Sequence, residues 1–111
     1  MQGKEDNITS PELLRPLVVR ALRRSSVRKK IADYLFDICP SGSYTSEIAY
    51  HVKTTPTNVI GAIRGMDQRY RQEESLISLQ IVEQVDSGKN HDIKLYKITD
   101  FGKELLSSLN K

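Results

Sequence analysis

The chain carries a short stretch of small and polar residues, TTPTNVIGAIRGM (54–66), whose side chains suit hydrogen bonding to another molecule. Asparagine and arginine each offer paired hydrogen-bonding groups in one plane, and threonine offers a hydroxyl beside a methyl group. Groups of this kind read base edges in a DNA groove, while basic side chains around them hold the phosphates. We predict nucleic-acid contacts from Thr55, Thr57, Asn58, Gly61 and Arg64.

A helix-turn-helix is the element that would present these residues. Apolar positions recur at helical spacing, which predicts a helix from Pro56 to about Tyr70 with the polar residues on its outer face. A shorter helix precedes it, capped by Thr45 or Ser46, and residues 53–55 form the tight connection. The second helix of such a pair can enter a major groove.

Two of these residues also have ordinary structural explanations. Gly61 has no side chain, so it either lets a duplex approach closely or clears room for a neighbouring helix. Asn58 either binds adenine or has a solvent-facing or local capping role, and the helix-turn-helix context favours adenine. Arg64 can reach guanine or a phosphate.

Positive charge is concentrated in the first third of the chain. Seven Lys and Arg residues lie between Arg15 and Lys30, uninterrupted by Asp or Glu, in a chain whose net charge is +3. This stripe indicates either a polyanionic partner or the solvated face of a helix. Caps and apolar spacing divide the region into a helix over 10–24 and a second helix from Val27 to Ile38.

The second half of the chain predicts a β-hairpin and a closing helix. Strands are predicted over 43–45, 79–85 and 93–99, with a loop over 71–75. A cap at Thr99 or Asp100 begins a final helix over 100–110. Residues 1–9 are polar and lack apolar periodicity, so a disordered tail is expected before a single domain over 10–111.

Three motifs, taken in order, resemble the winged-helix family of DNA-binding domains, particularly its small archaeal and bacterial transcriptional regulators. EIAYHV (47–52) resembles the first helix of the helix-turn-helix, TTPTNVIGAIRGM the recognition helix, and LYKITDFGKELL (95–106) the last wing strand and closing helix. The resemblance implies an α+β, mostly helical winged helix-turn-helix with a three-stranded antiparallel sheet and extra N-terminal and C-terminal helices. It also implies sequence-specific binding to double-stranded DNA in transcription regulation.

Within this architecture, the start of the second helix commonly meets backbone phosphates. The basic residues there are Arg28, Lys29 and Lys30. In the wing, contacts to phosphates or the minor groove are predicted from Lys89, Asn90, His91 and Lys94. For His91 the alternative is an ordinary exposed position in a loop.

Neither catalysis nor a bound metal or cofactor is predicted. The sequence lacks a nucleophile elbow, a phosphate-binding loop and a four-ligand metal set, having one cysteine, Cys39, and two histidines. Its apolar runs fall far short of the roughly 20 residues that span a bilayer. With no recognisable signal peptide, a cytoplasmic protein without a membrane partner is expected.

Self-association is also predicted, because the first and last helices carry more apolar surface than a small domain buries alone. The predicted homodimer residues are Leu14, Leu17, Val18, Leu22, Leu105, Leu106 and Leu109. The alternative to DNA binding is a winged-helix module that binds proteins of the transcription or replication machinery.

Overall fold

Helices surround a small antiparallel sheet in residues 11–66, 72–86 and 94–109, which the computed structural model describes. The elements are α1 Pro11–Arg24, α2 Ser26–Ile38, β1 Ser43–Tyr44, α3 Thr45–Val52, α4 Pro56–Arg64, a 3-10 turn Gln72–Glu74, β2 Val82–Asp86, β3 Lys94–Ile98 and α5 Asp100–Leu109. In this part of the chain no helix is long and apolar enough to cross a membrane. The predicted tail over 1–9 lies outside the described residues.

The three strands form one sheet in the order β1-β3-β2. Ser43 of β1 lies opposite Tyr96 of β3, and Val82 of β2 lies opposite Ile98, with both pairings antiparallel. The predicted α+β winged helix-turn-helix with a three-stranded sheet is therefore confirmed.

Side-chain caps divide the helices of the first half. Ser25 separates α1 from α2, and its Oγ accepts a hydrogen bond from the backbone N–H of Arg28 at 3.2 Å. At the start of α3, Glu47 Oε1 accepts hydrogen bonds from the Ser43 hydroxyl and the Tyr44 N–H, each at 3.0 Å. The residue preceding α3 is therefore Tyr44, and the predicted cap at Thr45 or Ser46 is wrong.

Helix α4 ends at Arg64, so its predicted extension to Tyr70 is wrong. Gly65 has φ 94°, a backbone conformation that favours glycine, and a Cβ there would lie 2.7 Å from Gln72 Cα. Helical geometry cannot continue through such a residue. The predicted loop that follows contains the 3-10 turn, and residues 67–71 lie outside the described residues.

The segment after this turn is tied to the end of α4. The N–H groups of Leu76 and Ile77 donate hydrogen bonds to the carbonyls of Ala62 and Ile63, each at 3.0 Å. Carbonyls in the last turn of a helix lack partners within the helix, so these bonds satisfy groups that would otherwise need water. They join α4 to the polypeptide that leads into β2.

The predicted first strand of the hairpin begins too early. Leu79 and Ile81 are buried, which explains their apolar character, but they lie in a turn where Gln80 has φ 63°. These residues are apolar because they are buried, and the strand itself begins only at Val82.

The core joins all the helices to the inner side of the sheet. Tyr96 of the central strand is completely buried, as are Leu105 and Leu106 of α5. The largest other fully buried side chains are Val18, Ile31, Leu35, Ile48, Val59, Ile63, Leu76, Leu79 and Ile81.

The first turn of α5 makes the closest helix-to-backbone contact. Thr99 Oγ1 accepts a hydrogen bond from the Gly102 N–H at 2.9 Å and donates to the carbonyl of Gln80 at 2.6 Å. A Cβ on Gly102 would lie 2.6 Å from the Ile81 carbonyl oxygen, a distance that real Cβ atoms do not adopt. Glycine is therefore required here by the approach of the helix to the chain before β2.

Candidate nucleic-acid interface

The N-terminal turn of α4 holds polar residues in a hydrogen-bonded arrangement. Thr55 Oγ1 accepts a hydrogen bond from the backbone N–H of Asn58 at 3.1 Å, and Asn58 Nδ2 donates to Thr54 Oγ1 at 3.0 Å. Pro56 occupies the first helical position, where a missing N–H removes no helical hydrogen bond. Thr55 and Thr57 are exposed and Asn58 is half-buried, so the turn presents an ordered polar surface.

Gly61 is buried, so the prediction that it lies on the outer face of α4 is wrong. The residues that follow it, Ala62 and Ile63, are completely buried, and Ile60 is half-buried. This burial favours the alternative interpretation, in which the glycine clears room for neighbouring elements.

Arg64 links the end of α4 to the sheet. Its side chain is exposed, and Nη1 donates hydrogen bonds to Gln84 Oε1 at 3.1 Å and to the Tyr96 hydroxyl at 3.4 Å. Gln84 and Tyr96 lie directly opposite each other on β2 and β3. The sequence did not identify these two partners, because their pairing depends on the strand register.

The basic run at the start of α2 does not form one exposed surface. Arg28 is only 4% exposed, and its Nη1 lies 3.6 Å from Glu74 Oε1, which contradicts the prediction that it meets DNA phosphates. Lys29 Nζ pairs with Asp33 Oδ2 at 2.7 Å, one helical turn away. Lys30 is exposed.

Arg28 could have been recognised as buried from its spacing. It lies on the same side of α2 as Ala32 and Leu35, which are completely buried. Its anionic neighbour Glu74 also binds Arg24, whose Nη1 lies 3.1 Å from Glu74 Oε2. Glu74 therefore joins α1 and α2 to the 3-10 turn.

Sequence reasoning missed two exposed residues beside the helix-turn-helix connection. Lys53 ends α3 in the left-handed conformation, with φ 60°, and its side chain is exposed. Tyr50 is 79% exposed, and its ring meets that of His51 edge-on at 5.2 Å. The His51 ring in turn stacks on Tyr34, with centroids 4.9 Å apart. The tight turn that the sequence predicts after α3 could have identified Lys53 as a neighbour of α4.

Of the predicted wing contacts, the structure describes Lys94. It begins β3, directly opposite Asp86 at the end of β2. Lys89, Asn90 and His91 lie outside the described residues.

The predicted dimer surface is largely interior. Its buried members, which pack within this chain and cannot also face a second copy, are Leu14, Val18, Leu22, Leu105 and Leu106. That part of the prediction is therefore wrong, because the helices bury these leucines against their own core. Leu17 and Leu109 are exposed, at 47% and 40%.

The groups that could bind metal are dispersed. Within residues 11–66, 72–86 and 94–109, no three His, Cys, Asp or Glu side chains converge on a point that could hold a metal ion. The candidate site consists of hydrogen-bonding and positively charged groups at the surface around α4.

Comparison with solved structures gives the same fold. The chain superposes on S. aureus MepR in a MepR–DNA complex with a TM-score of 0.63 and 13% identity, covering 86% of this chain and 71% of that chain. A mutant MepR from a multidrug-resistant S. aureus clinical isolate superposes with a TM-score of 0.62 and 14% identity, covering 83% of this chain and 62% of that chain. These likenesses show that the fold is a winged helix.

Comparison by sequence gives the family. An uncharacterized protein of Methanocaldococcus jannaschii is 43% identical over 94 residues, which are 85% of this chain and 82% of that protein. The family model described as EarA-like matches residues 18–109, which include every described strand and the whole helix-turn-helix. The chain belongs to the EarA-like family.

Proposed function

We propose that this chain is a transcription regulator of the cytoplasm that binds specific sequences of double-stranded DNA, with α4 in the major groove. The observation that carries the proposal is the exposed N-terminal turn of α4, where Thr55, Thr57 and Asn58 are held in an ordered arrangement. Lys53 precedes this turn and Arg64 follows it, so cations lie at both ends of the helix. No catalytic role, metal or cofactor is part of the proposal.

The fold supports DNA as the partner. MepR, which shares the winged helix, was crystallised with DNA. In a helix-turn-helix the second helix lies in the major groove and its N-terminal residues contact base edges. Thr57 offers a hydroxyl and a methyl group there, and Lys94 and the wing contact the phosphate backbone.

Replacing Arg64 with alanine should weaken binding to a selected duplex by about 1 to 3 kcal/mol if the guanidinium reads a base. Fluorescence anisotropy with a labelled duplex measures the effect. The matched control is Gln84→Ala, which removes an acceptor that positions Arg64 but keeps its charge. Its loss should be smaller. Equal affinities for the wild type and Arg64→Ala would exclude Arg64 from the interface.

The opposing function, a protein-interaction module, makes a different prediction in the same assay. Phosphate contacts make affinity for DNA fall steeply as salt rises. Duplex binding that is strongest at low salt supports the proposal, whereas no binding at low salt favours the protein-interaction module.

The proposed regulator is a homodimer whose contact is centred on Leu109 of α5. The exposed Leu109 side chains of two copies related by a two-fold axis can pack together, which removes apolar surface from water. Sedimentation at micromolar concentration should show twice the 12.6 kDa mass of one chain, and Leu109→Ser should lower it. A 12.6 kDa species for the wild type would contradict the dimer. Half-sites about 10 bp apart, or a multiple of that, are expected in the bound DNA.

A further inference from the structure

The outward face of α1 combines exposed leucines with arginines and is separate from the residues assigned to DNA. Leu13 is 52% exposed and lies one turn before Leu17. The opposite side of the helix is in the core, where Val18 and Ala21 are completely buried. A shallow groove of about 530 Å³ on this helix is lined by Arg15, Pro16, Val19, Arg20, Arg23 and Arg24.

From Arg15 to its end, α1 carries only positive charge. Every cation of α1 is an arginine, and no Asp or Glu occurs between Arg15 and Lys30. Arg20 and Arg23 are exposed, while Arg24 is paired with Glu74. Arginine is more weakly hydrated than lysine and is enriched at protein–protein interfaces, from which lysine is depleted. A helix whose cations are all arginines and whose leucines are partly exposed therefore has the composition of such an interface.

We infer that this face of α1 binds an acidic segment of another protein, one that carries aliphatic side chains among Asp and Glu residues. Leu13, Leu17 and Arg20 follow one another along the same side of the helix over about 10 Å. Carboxylates suit the flanking arginines, with which they form paired hydrogen bonds. Aliphatic side chains suit the leucines, which lose contact with water when the segment docks.

This occupant fits the face better than DNA or a second copy of α1. A phosphate backbone satisfies arginines but offers the leucines no apolar surface. Two α1 helices packed about a two-fold axis would set arginines against arginines, which is unfavourable at an interface. An acidic partner with aliphatic groups complements both the charge and the leucines.

The test uses the full chain and two labelled synthetic peptides. One peptide has leucines at helical spacing among glutamates, and the other has serine in place of each leucine. The variants are Leu17→Ser, Arg20→Glu and, as the matched charge reversal on α5, Lys103→Glu. All three positions are exposed, so the fold is expected to persist, and thermal unfolding checks this. Fluorescence anisotropy gives each affinity.

Leu17→Ser and Arg20→Glu should each weaken binding of the leucine peptide by about tenfold, the effect of losing a central interface residue. Lys103→Glu should leave it within about twofold. Equal affinity for the serine peptide would overturn the inference, because charge alone would then explain binding. An unchanged affinity of the Leu17→Ser variant for the leucine peptide would also overturn the inference.

Two further measurements separate the other occupants. If Arg20→Glu weakens binding to a short DNA duplex and neither peptide binds, this face of α1 binds DNA. If Leu17→Ser converts a dimer to a monomer in sedimentation, this face of α1 binds a second copy of the chain. Either result overturns the inference. A chain that binds the leucine peptide but no duplex contradicts the proposed function and leaves this inference intact.

Discussion

Gly102→Ala should destabilise the protein by about 1 to 3 kcal/mol, the usual cost of overpacking a core. The new Cβ would lie 2.6 Å from the Ile81 carbonyl oxygen and 3.0 Å from Ile98 Cγ1. That carbonyl cannot move away freely, because it also accepts a hydrogen bond from the Thr99 N–H at 2.9 Å. Thermal or urea unfolding of the purified variant measures the loss.

The sign of the effect makes this a sharp test. In an exposed helix interior, replacing glycine with alanine stabilises by up to about 1 kcal/mol because alanine is the better helix former. Ser108→Ala, at an exposed position on the same helix, is the control and should change stability by less than about 0.5 kcal/mol. A more stable Gly102→Ala protein would show that α5 does not approach the chain before β2 as described.

Thr57→Glu should weaken binding to a selected duplex by at least about tenfold without lowering stability. Thr57 is the second residue of α4, is exposed, and lies where the proposed interface meets the negative surface of DNA. The same carboxylate sits near the positive end of the helix dipole, which favours it in the free protein. Anisotropy titration and thermal unfolding of one preparation separate the two effects.

The matched variant is Ser107→Glu, which makes the same charge change at an exposed position on α5. It should leave duplex affinity within about twofold, because it lies outside the proposed interface. Equal losses for the two variants would mean that net charge, rather than the N-terminal turn of α4, controls DNA binding. An unchanged affinity for Thr57→Glu would remove that turn from the interface.

Local signals in the sequence were sufficient for most of the fold. Serine at a helix start and proline in a first turn act over a few residues, which is why Ser25 and Pro56 divide the helices where the sequence predicts. Gly65 carries an equally local signal for the end of α4, but the polar residues after it were interpreted as a continuation of the helix. Its positive φ shows that the glycine was the decisive residue.

The candidate site was less predictable, because several side chains are defined by partners far along the chain. Arg28 belongs to a basic run in the sequence, yet its position beside Glu74 places it inside the protein. Arg64 meets Gln84 and Tyr96 only after the sheet has formed. The polar turn around Thr55 and Asn58 is local, so the sequence predicted its residues correctly as members of one helix start.

The two hydrogen bonds from Leu76 and Ile77 to the end of α4 fix the position of this helix relative to the chain that leads into β2. Together with the hydrogen bond from Arg64 to Gln84, they hold α4 and β2, the first strand of the wing, at a set distance from each other. In the proposed complex, a protein of fixed shape cannot adjust to the width of the DNA groove, so the duplex itself has to deform. Base steps that deform easily should therefore favour binding at positions that no side chain touches.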